Sequence, residues 1–333
     1  MHLNSNLPNK IIRWYDNNKR NLPWRVGKKS NKKLYYRLLS EFMLQQTQVK
    51  TVIPYFNNFT KRYKTLKALS KSSEKEILKM WEGLGYYRRA RNLLECSKLL
   101  IKNYQSKLPK NLEGIKKLPG IGDYTGNALL GLVHNKPTIA IDGNVKRVFS
   151  RYLNKELTKI NFEKLIAKNK KELFSTNRNA DFVEALMEFG ALVCKPKDPN
   201  CMTCCLNKTC KYFRSNNKIK NLSKKMIKNK NYDIFCYINK KRQIALAKNN
   251  RISFLKHFHL PLIKESNGLS KKKNWKFLKN YKNSISNLKL NINLYYKFSD
   301  KIPTMYNWYS LTSNKEFIPS FTKRILRQVS NLF

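Results

Sequence analysis

The chain has 333 residues, a length that suggests two domains, each with its own hydrophobic core. It carries 69 Lys and Arg against 20 Asp and Glu. The formal net charge of +49 favours a polyanionic partner, although a codon usage rich in Lys and Asn would also raise it. No apolar run approaches the roughly 18 residues of a membrane span, and residues 1–9 are too polar for a signal peptide, so we expect a cytoplasmic protein without membrane contact.

Helical periodicity starts at residues 11–19, stops at the Pro-containing segment 21–25, and resumes at residues 33–50. In this second helix one apolar face is formed by Leu34, Leu38, Phe42 and Val49. Glu41 and Gln45 lie one turn apart at the edge of that face, so we expect Glu41 to be half-buried with a pKa raised by desolvation. The alternative is an ordinary amphipathic helix with a Glu at its rim.

Residues 81–91 combine two glycines, two tyrosines and three arginines around Gly85 and Tyr86. This composition suits a loop that meets a nucleic-acid backbone and wedges a base step. The alternative is a loop that packs its aromatic side chains on the core. Residues 91–104 read as the next helix, with Cys96 as a small core residue.

The segment 118–147 begins with Gly120 and Gly122 in a tight, Pro-containing turn that opens an apolar helix. Free N–H groups at such a helix start can bind an anion. The chain then turns back to a lone acid, Asp142, which we expect near the glycine turn. Because another helix follows it, Asp142 is also a favoured helix N-cap for structural reasons alone. Helical patterns continue to about residue 213, and no strand is predicted before residue 230.

Four of the seven cysteines fall within a short segment, with the spacing C-x6-C-x2-C-x5-C. They are Cys194, Cys201, Cys204 and Cys210, and Cys205 is left over. Four thiolates bind either zinc or an iron–sulfur cluster. Zinc sites usually pair their ligands in two C-x2-C knuckles, whereas only one such pair occurs here. The spacing favours a cluster and leaves zinc open.

Beyond residue 214 the pattern changes. Residues 215–231 are basic and poor in apolar side chains, as in a linker. Residues 233–238 and 243–248 predict a strand pair, and the alternation in 288–298 predicts a longer strand. Residues 319–333 predict a closing helix.

Together these motifs resemble the MutY-type adenine DNA glycosylases of the helix-hairpin-helix superfamily, relatives of endonuclease III. The resemblance covers roughly residues 11–213 and rests on SEFMLQQTQV (40–49), GLGYYRRARN (83–92), LPGIGDYT with IDGNVKR, and the cysteine spacing. It implies a mainly α fold, with a helix-hairpin-helix glycosylase core and a [4Fe–4S] cluster loop, plus a C-terminal α+β Nudix-like domain. The implied divisions are 1–214 (glycosylase and iron–sulfur region), 215–231 (linker) and 232–333 (lesion recognition).

The resemblance also implies roles at the catalytic site. Glu41 matches the Glu that protonates the flipped adenine and helps to place water. Asp142 matches the Asp that stabilises the oxocarbenium-like sugar, and Asn144 and Tyr124 match supporting residues beside the sugar. A bifunctional glycosylase/lyase has a Lys in place of Tyr124, where it forms a Schiff base. The resemblance therefore implies a monofunctional enzyme.

In the same way, Gln45, Gln46 and Tyr86 match residues that read or wedge the strand around the orphaned purine. Gly120 and Gly122 match the glycines that hold phosphate through backbone N–H groups. The implied DNA contacts are Arg25, Gln45, Gln46, Gly85, Tyr86, Gly120, Gly122 and Ser299, and the implied cluster ligands are Cys194, Cys201, Cys204 and Cys210.

The C-terminal domain resembles the family's 8-oxoguanine-recognition module only weakly. No Nudix box occurs between residues 231 and 333, so we expect no hydrolase activity there. The family's F-S-H signature appears as Phe298-Ser299-Asp300, which keeps the lesion-contacting Ser and lacks the His.

The expected partner is duplex DNA containing adenine opposite 8-oxoguanine or guanine, bound by a monomer. Three alternatives remain: a non-catalytic iron–sulfur protein that binds damaged DNA, an endonuclease III-like glycosylase of oxidised pyrimidines, and a mismatch thymine glycosylase. Tyr124 and Glu41 argue against the second, and the EFMLQQTQ motif argues against the third.

Overall fold

The computed structural model describes residues 3–27, 30–216, 218–219, 228–250, 252, 255–256, 258–266, 274–285, 288–311 and 318–333. Contacts divide the chain into two units. The first unit comprises Met1–Met80 and Tyr87–Lys224, and the second comprises Trp81–Tyr86 and Lys225–Phe333.

The first unit is built from helices and loops, and its described residues contain no strand, as the periodicity predicted. Its helices are α1 (Leu7–Asn18), α2 (Lys33–Leu44), α3 (Val49–Arg62), α4 (Leu66–Ser70), α5 (Glu74–Met80), α6 (Arg88–Tyr104), α7 (Leu112–Lys116), α8 (Asp123–His134), α9 (Gly143–Leu153), α10 (Lys159–Lys168), α11 (Lys170–Leu173), α12 (Asn179–Leu192) and α13 (Lys211–Arg214). In the described part of the chain, no helix is both long and apolar enough to cross a bilayer.

Helix α12 lies at the centre of this unit, in contact with α1, α8 and α9. Its Phe182 and Phe189 join a core cluster with Ile11 of α1 and Phe149 of α9. Its Val183 joins a second cluster with residues of α8. Full burial of each such side chain contributes roughly 1.5–3 kcal/mol. This packing fixes the N-terminal ends of α8 and α9 relative to each other.

The single helix predicted over 33–50 is wrong, because the structure breaks it after Leu44. Gln46 has a left-handed backbone conformation with φ of 61°. The next helix, α3, starts at Val49, which therefore does not extend the apolar face of α2. The break leaves the last carbonyl groups of α2 without helical partners, and these need another donor.

The guanidinium of Arg89 supplies that donor. Its Nη1 donates to the carbonyls of Phe42 (3.2 Å), Met43 (2.7 Å) and Gln45, and Nη2 donates to the Thr47 hydroxyl (3.1 Å). Arg89 is only 6% exposed. The composition of residues 81–91 predicted that the arginines of this loop contact a nucleic-acid backbone. For Arg89 this prediction is wrong, because its guanidinium is buried. A buried cation at carbonyl groups instead fixes the turn between α2 and α3.

We expect the substitution Arg89→Met to lower the free energy of unfolding by about 2–4 kcal/mol, since it leaves several buried carbonyls without a donor. Thermal and urea unfolding would measure this loss. The control is Arg88→Met, because Arg88 is the exposed neighbour of Arg89 in sequence. Equal stability of the two variants would contradict the capping role.

The loop that precedes α6 divides its aromatic residues between core and solvent. Trp81 is fully buried and Tyr87 is 5% exposed, so the packing alternative is correct for them. Tyr86 is 37% exposed and has a φ of 49°. Gly85 has a φ of 69°, which favours glycine. Trp81 and Tyr87 therefore anchor the loop in the core, and the Tyr86 side chain is exposed to solvent.

The second unit is a mixed sheet with one long helix. Its elements are β1 (Lys228–Asn239), β2 (Gln243–Lys248), β3 (His259–Leu260), β4 (Leu262–Glu265), β5 (Lys276–Ile285), β6 (Leu288–Phe298), β7 (Asn307–Ser310) and α14 (Ser320–Ser330). The strand order is β3-β2-β1-β6-β5, with β4 paired to β1 and β7 to β2. Among the described strands β1 and β6 run parallel, and the other pairs are antiparallel.

Three sequence predictions are confirmed in this unit. The strand pair appears as β1 and β2, with Ile238 opposite Ile244. The alternating segment forms β6, and the closing helix forms α14. The predicted linker needs a correction at its end, since residue Lys228 already begins β1 and pairs with Leu288. Residues 217 and 220–227 of that predicted linker lie outside the described part.

Candidate active site

Glu41 lies on the buried side of α2 and is 5% exposed, deeper than the half-burial predicted from the sequence. Burial raises the pKa of Glu41 to about 7. The positive charge of Arg37 opposes this shift, and the nearby charges of Glu184 and Asp142 add to it. Glu41 is therefore a carboxyl group that exchanges a proton near neutral pH.

Asp142 is the N-cap of α9, as the structural alternative predicted. Its Oδ1 accepts a hydrogen bond from the Val145 N–H (2.7 Å), and Oδ2 accepts one from Asn144 Nδ2 (2.8 Å). Burial nevertheless raises the pKa of Asp142, against the effect of these donors. Capping fixes the orientation of the carboxylate, so the structural role and a catalytic role are compatible.

Tyr124, in the first turn of α8, lies beside both acids. Burial raises the pKa of Tyr124 well above its usual value, and the charges of Glu41 and Asp142 raise it further. Its hydroxyl donates to Met187 Sδ (3.1 Å). Tyr124 therefore keeps its proton, and the structure brings together three residues that are far apart in sequence.

The glycine turn between α7 and α8 presents backbone amides at a helix start. Gly120 has a φ of 76°, and a Cβ there would lie 2.7 Å from Asn92 Cβ and 2.8 Å from a Phe42 ring carbon, so only glycine fits. Gly122 is the N-cap of α8. Neither glycine N–H donates to a described residue. Gln45 Nε2 reaches the Gly120 carbonyl at 3.4 Å, which connects the turn after α2 to this hairpin.

A buried network behind Glu41 was not predicted from the sequence. Glu184 of α12 forms an ion pair with Arg37 and accepts a hydrogen bond from the Tyr15 hydroxyl. Arg37 precedes Glu41 by one helical turn, so its positive charge acts on the carboxylates of both Glu184 and Glu41. Two acids in the apolar segment FVEALMEFGAL were the signal that could have identified this network.

Arg25 also belongs to this network. Its guanidinium lies 3.0 Å from Glu188 Oε2 and 3.5 Å from Glu184 Oε2, with 13% of the side chain exposed. Burial tends to raise the pKa of Glu188, but hydrogen bonds from Arg20 and Arg25 lower it to about 2. These ion pairs hold the Arg25 guanidinium inside the protein, and its contact with DNA stays a prediction.

Arg147 connects the capped acid to the cysteine segment. Its Nη2 donates to Asn144 Oδ1 (2.8 Å) and to the Gly190 carbonyl (2.7 Å), and its Nε donates to the Cys194 carbonyl (2.8 Å). A Cβ at Gly190 would lie 2.7 Å from Asn144 Cβ, so glycine lets α12 approach this turn. The orientation of Asn144, and through it of Asp142, therefore depends on Arg147.

The four predicted ligand cysteines line one cavity together with Arg151. Arg151 Nη1 donates to Cys194 Sγ (3.6 Å), and the Leu206 N–H donates to Cys204 Sγ (3.4 Å). Such donors stabilise thiolates. Cys205 contacts Cys204 and is the additional thiol of this segment.

The arrangement of these thiols bears on the choice between zinc and a cluster. Thiolates bound to one zinc ion lie about 2.3 Å from a common centre. Among the described residues, no three His, Cys, Asp or Glu side chains converge closely enough to bind one ion.

Two predicted DNA-contact residues lie in the second unit. Tyr86 is exposed, as described above. The Ser299 hydroxyl donates to the Lys301 carbonyl (2.6 Å) and accepts from the Lys301 N–H (3.2 Å), which fixes the turn after β6. Asp300, in place of the family's His, is exposed.

Comparison with known proteins supplies the family. Residues 39–172 match the model of the HhH-GPD superfamily base excision DNA repair proteins. The adenine DNA glycosylase of Buchnera aphidicola subsp. Baizongia pistaciae is 36% identical over 324 residues, which cover 91% of this chain and 90% of that protein. The human adenine DNA glycosylase is 34% identical over 208 residues, or 60% of this chain and 38% of the human protein.

Solved structures agree on the fold of the helical part. A thermostable thymine-DNA glycosylase aligns with a TM-score of 0.56 at 28% identity, over 62% of this chain and 95% of that one. A trapped endonuclease III–DNA covalent intermediate aligns with a TM-score of 0.51 at 20% identity, over 64% and 98%. The resemblance seen in the sequence is thus confirmed, and the chain belongs to the adenine DNA glycosylase family of the HhH-GPD superfamily.

Proposed function

We propose that this chain removes adenine opposite 8-oxoguanine or guanine in duplex DNA, by hydrolysis of the N-glycosidic bond and without a covalent lyase step. One observation carries the proposal: a buried carboxyl group with a pKa of about 7, Glu41, lies beside a second carboxylate oriented by a helix cap, Asp142. Glycosidic hydrolysis generally uses two such carboxyl groups in different environments.

Glu41 acts as the acid. With a pKa of about 7, roughly half of the Glu41 side chains carry a proton at neutral pH. The proton goes to a ring nitrogen of the flipped adenine, because a protonated base is a better leaving group. The Glu41 carboxylate that results then helps to place the attacking water.

Asp142 stabilises the positive charge that develops on the sugar as the bond breaks. Its hydrogen bonds from Val145 and Asn144 hold it in place for this role. Tyr124 stands where a lyase would have its Schiff-base Lys. A buried, protonated phenol forms no Schiff base, so base release leaves an abasic site whose strand breaks only on alkali treatment.

DNA is held so that the adenine can leave the stack. The Gly120 and Gly122 amides bind phosphate at the start of α8. Gln45, Gln46 and Tyr86 read or wedge the strand around the orphaned purine. In the second unit, we assign the sheet and α14 to a degenerate Nudix-like lesion-recognition domain, with Ser299 as the contact to 8-oxoguanine. The enzyme works as a cytoplasmic monomer.

Cys194, Cys201, Cys204 and Cys210 hold a [4Fe–4S] cluster in this proposal. The shared cavity and the N–H donors to sulfur support this fit. When bound, such a cluster supplies a redox-active centre that ties together the loop between its ligands.

The decisive experiment is a single-turnover glycosylase assay on duplexes with A:8-oxoguanine, A:G, T:G and thymine-glycol pairs. We expect adenine release from the first two and strand breaks only after alkali treatment. Tight binding of A:8-oxoguanine without release would favour the non-catalytic alternative. Release of thymine or of thymine glycol would favour one of the other two glycosylase classes.

The contacts of Arg147 give a further prediction. Arg147→Gln removes the guanidinium that donates hydrogen bonds to Asn144, Gly190 and Cys194. A small misplacement of a catalytic group lowers the rate by up to about a hundredfold. We expect adenine release to slow by about tenfold to a hundredfold under single-turnover conditions, with little change in DNA affinity. The control is Arg13→Gln on the exposed side of α1. A wild-type rate for Arg147→Gln would show that Asp142 needs no such support.

A further inference from the structure

The sheet of the second unit has two different faces. Helix α14 covers one face, with Ile325 and Val329 fully buried and the Arg324 guanidinium 4.8 Å from the Tyr281 ring centroid. Tyr281 pairs with Ile292, so the even-numbered residues of β6 point to this covered face. The odd-numbered residues of β1 and β6, with their cross-strand partners, form the opposite face, which we call the open face.

Five aromatic side chains form a contiguous group on the open face. The Trp275 ring lies 4.9 Å from that of Phe235 and 4.8 Å from that of Tyr237, measured between centroids. Tyr295 stacks on Phe235 at 5.3 Å and contacts Phe277 at 5.6 Å. Phe277 is 56% exposed, and the Tyr237, Trp275 and Tyr295 residues are half-buried. Water therefore reaches several of these rings, although apolar rings of this size are usually covered.

Lysines lie on the same face as the aromatic group. The lysines on the described part of this face are Lys264, Lys282, Lys289 and Lys297. Asp233 is its one acid among the described residues, and this side chain is buried and accepts a hydrogen bond from Asn293 (2.9 Å). The face therefore has a net positive charge next to exposed rings.

A polar cavity lies at the other end of β5 and β6. It has a volume of about 380 Å³ and is lined by Lys282, Ser284, Lys289 and Asn291 of the open face, together with Asn283 and Leu290 of the covered face. Asn291 and Tyr295 are four residues apart on β6, which places the cavity roughly 13 Å from the aromatic group. Cations and hydrogen-bond donors at that distance suit the phosphates of a chain whose bases stack on the rings.

We propose that the open face binds a single-stranded nucleic-acid segment, with bases stacked on Phe277, Tyr295 and Trp275 and phosphates bound by Lys282, Lys289 and Lys297. Single-strand binding sites combine aromatic stacking surfaces with a positively charged groove. Protein–protein interfaces are depleted in Lys, so four lysines make a protein partner the poorer fit. Paired bases hide their faces, which makes a single strand the ligand rather than a duplex. This site is separate from the residues proposed for adenine removal.

The test is fluorescence anisotropy of the full-length protein with a labelled oligothymidylate of about 12 nucleotides. We expect Phe277→Ala, and separately the double variant Lys282→Ala/Lys289→Ala, to weaken binding at least about fivefold. The double variant should also reduce the salt slope by about 1.4, while Phe277→Ala leaves it unchanged. The controls are Lys240→Ala/Lys241→Ala, which removes two exposed charges in the same unit, and Phe333→Ala, which truncates another exposed ring.

A second measurement locates the ligand directly. Ultraviolet crosslinking of a 5-bromouracil oligonucleotide, followed by peptide mapping, should identify residues 275–277 or 295–297.

Wild-type affinity in both face variants, or crosslinks confined to other segments, would overturn the proposal. So would a loss of self-association in Phe277→Ala without any effect on oligonucleotide binding, because the face would then pair two copies of the chain. Adenine release from duplex DNA is measured in parallel, and its absence in the wild type would contradict only the proposed function.

Discussion

Replacing Glu41 by Gln is expected to slow adenine release by about 10²–10⁴-fold, because the amide has no proton to give to the leaving base. The substitution keeps the size of the side chain and removes only the carboxyl group that can bind and release a proton. Binding of an A:8-oxoguanine duplex should stay close to that of the wild type. Single-turnover kinetics together with a gel-shift titration would measure the two effects separately.

The matched control is Glu95→Gln, at an exposed position of α6. It removes the same charge without touching the site and should leave the rate unchanged. Release at the wild-type rate by Glu41→Gln would refute the role proposed for Glu41. Equal losses in both variants would point to the net charge of the protein instead.

The same residue predicts an unusual dependence of stability on pH. Burial raises the pKa of Glu41 from 4.5 to about 7 in the folded chain. The folded state therefore binds the Glu41 proton more tightly than the unfolded chain does. The stability of the protein is fully kept below about pH 4.5 and decreases as the pH rises through 7. Above that pH the buried charge costs about 3 kcal/mol of folding free energy. Glu41→Gln should thus unfold at a higher temperature than the wild type at pH 8, and the difference should disappear near pH 4.5.

Asp142→Asn is expected to slow adenine release by about 10²–10³-fold, because it removes the charge that stabilises the developing oxocarbenium ion. Asn is also a good N-cap, so α9 should keep its start and the protein its stability. Rates under single-turnover conditions and thermal unfolding by circular dichroism would measure both properties. The control is Asp198→Asn at an exposed left-handed position that Asn tolerates well.

A third variant separates the two roles of this residue. Asp142→Ala removes both the charge and the cap, so it should show a similar loss of rate and, in addition, about 1 kcal/mol lower stability. If Asp142→Asn instead kept the wild-type rate while Asp142→Ala lost it, the cap alone would matter to catalysis, and the electrostatic role would be wrong.

Local patterns in the sequence predicted much of the helical unit. The periodicity of α2, the glycine turn before α8 and the N-cap at Asp142 depend on residues close in sequence, whose preferences act over one or two turns. The neighbouring relation of Glu41, Tyr124 and Asp142 came from the family resemblance, because it depends on how α2, α8 and α9 pack on α12. Contacts across about a hundred residues leave no periodic trace in the sequence.

Several features that the sequence did not reveal involve charged side chains inside the protein. The composition of the loop predicted Arg89 at a nucleic-acid backbone, and nothing local indicated that Arg89 and Arg25 are buried. Burial of an arginine becomes favourable only where carbonyls or carboxylates from distant segments surround it. Likewise, β5 was missed because the segment KFLKNYKNSI is polar. Its pairing with β6, not its own hydropathy, stabilises it as a strand.

The guanidinium of Arg89 has a consequence for how the enzyme would search DNA. A short turn with a left-handed residue, such as the one at Gln46, would normally sample many conformations in solution, and ordering it upon binding would reduce affinity by roughly 1–2 kcal/mol per residue. Here the carbonyls of the turn are already fixed during folding. Conformational entropy is therefore lost once, when the chain folds, and not at each encounter with DNA. With Gln45 and Gln46 in their proposed contact with DNA, no slow ordering of this turn would separate contact from inspection of the base pair.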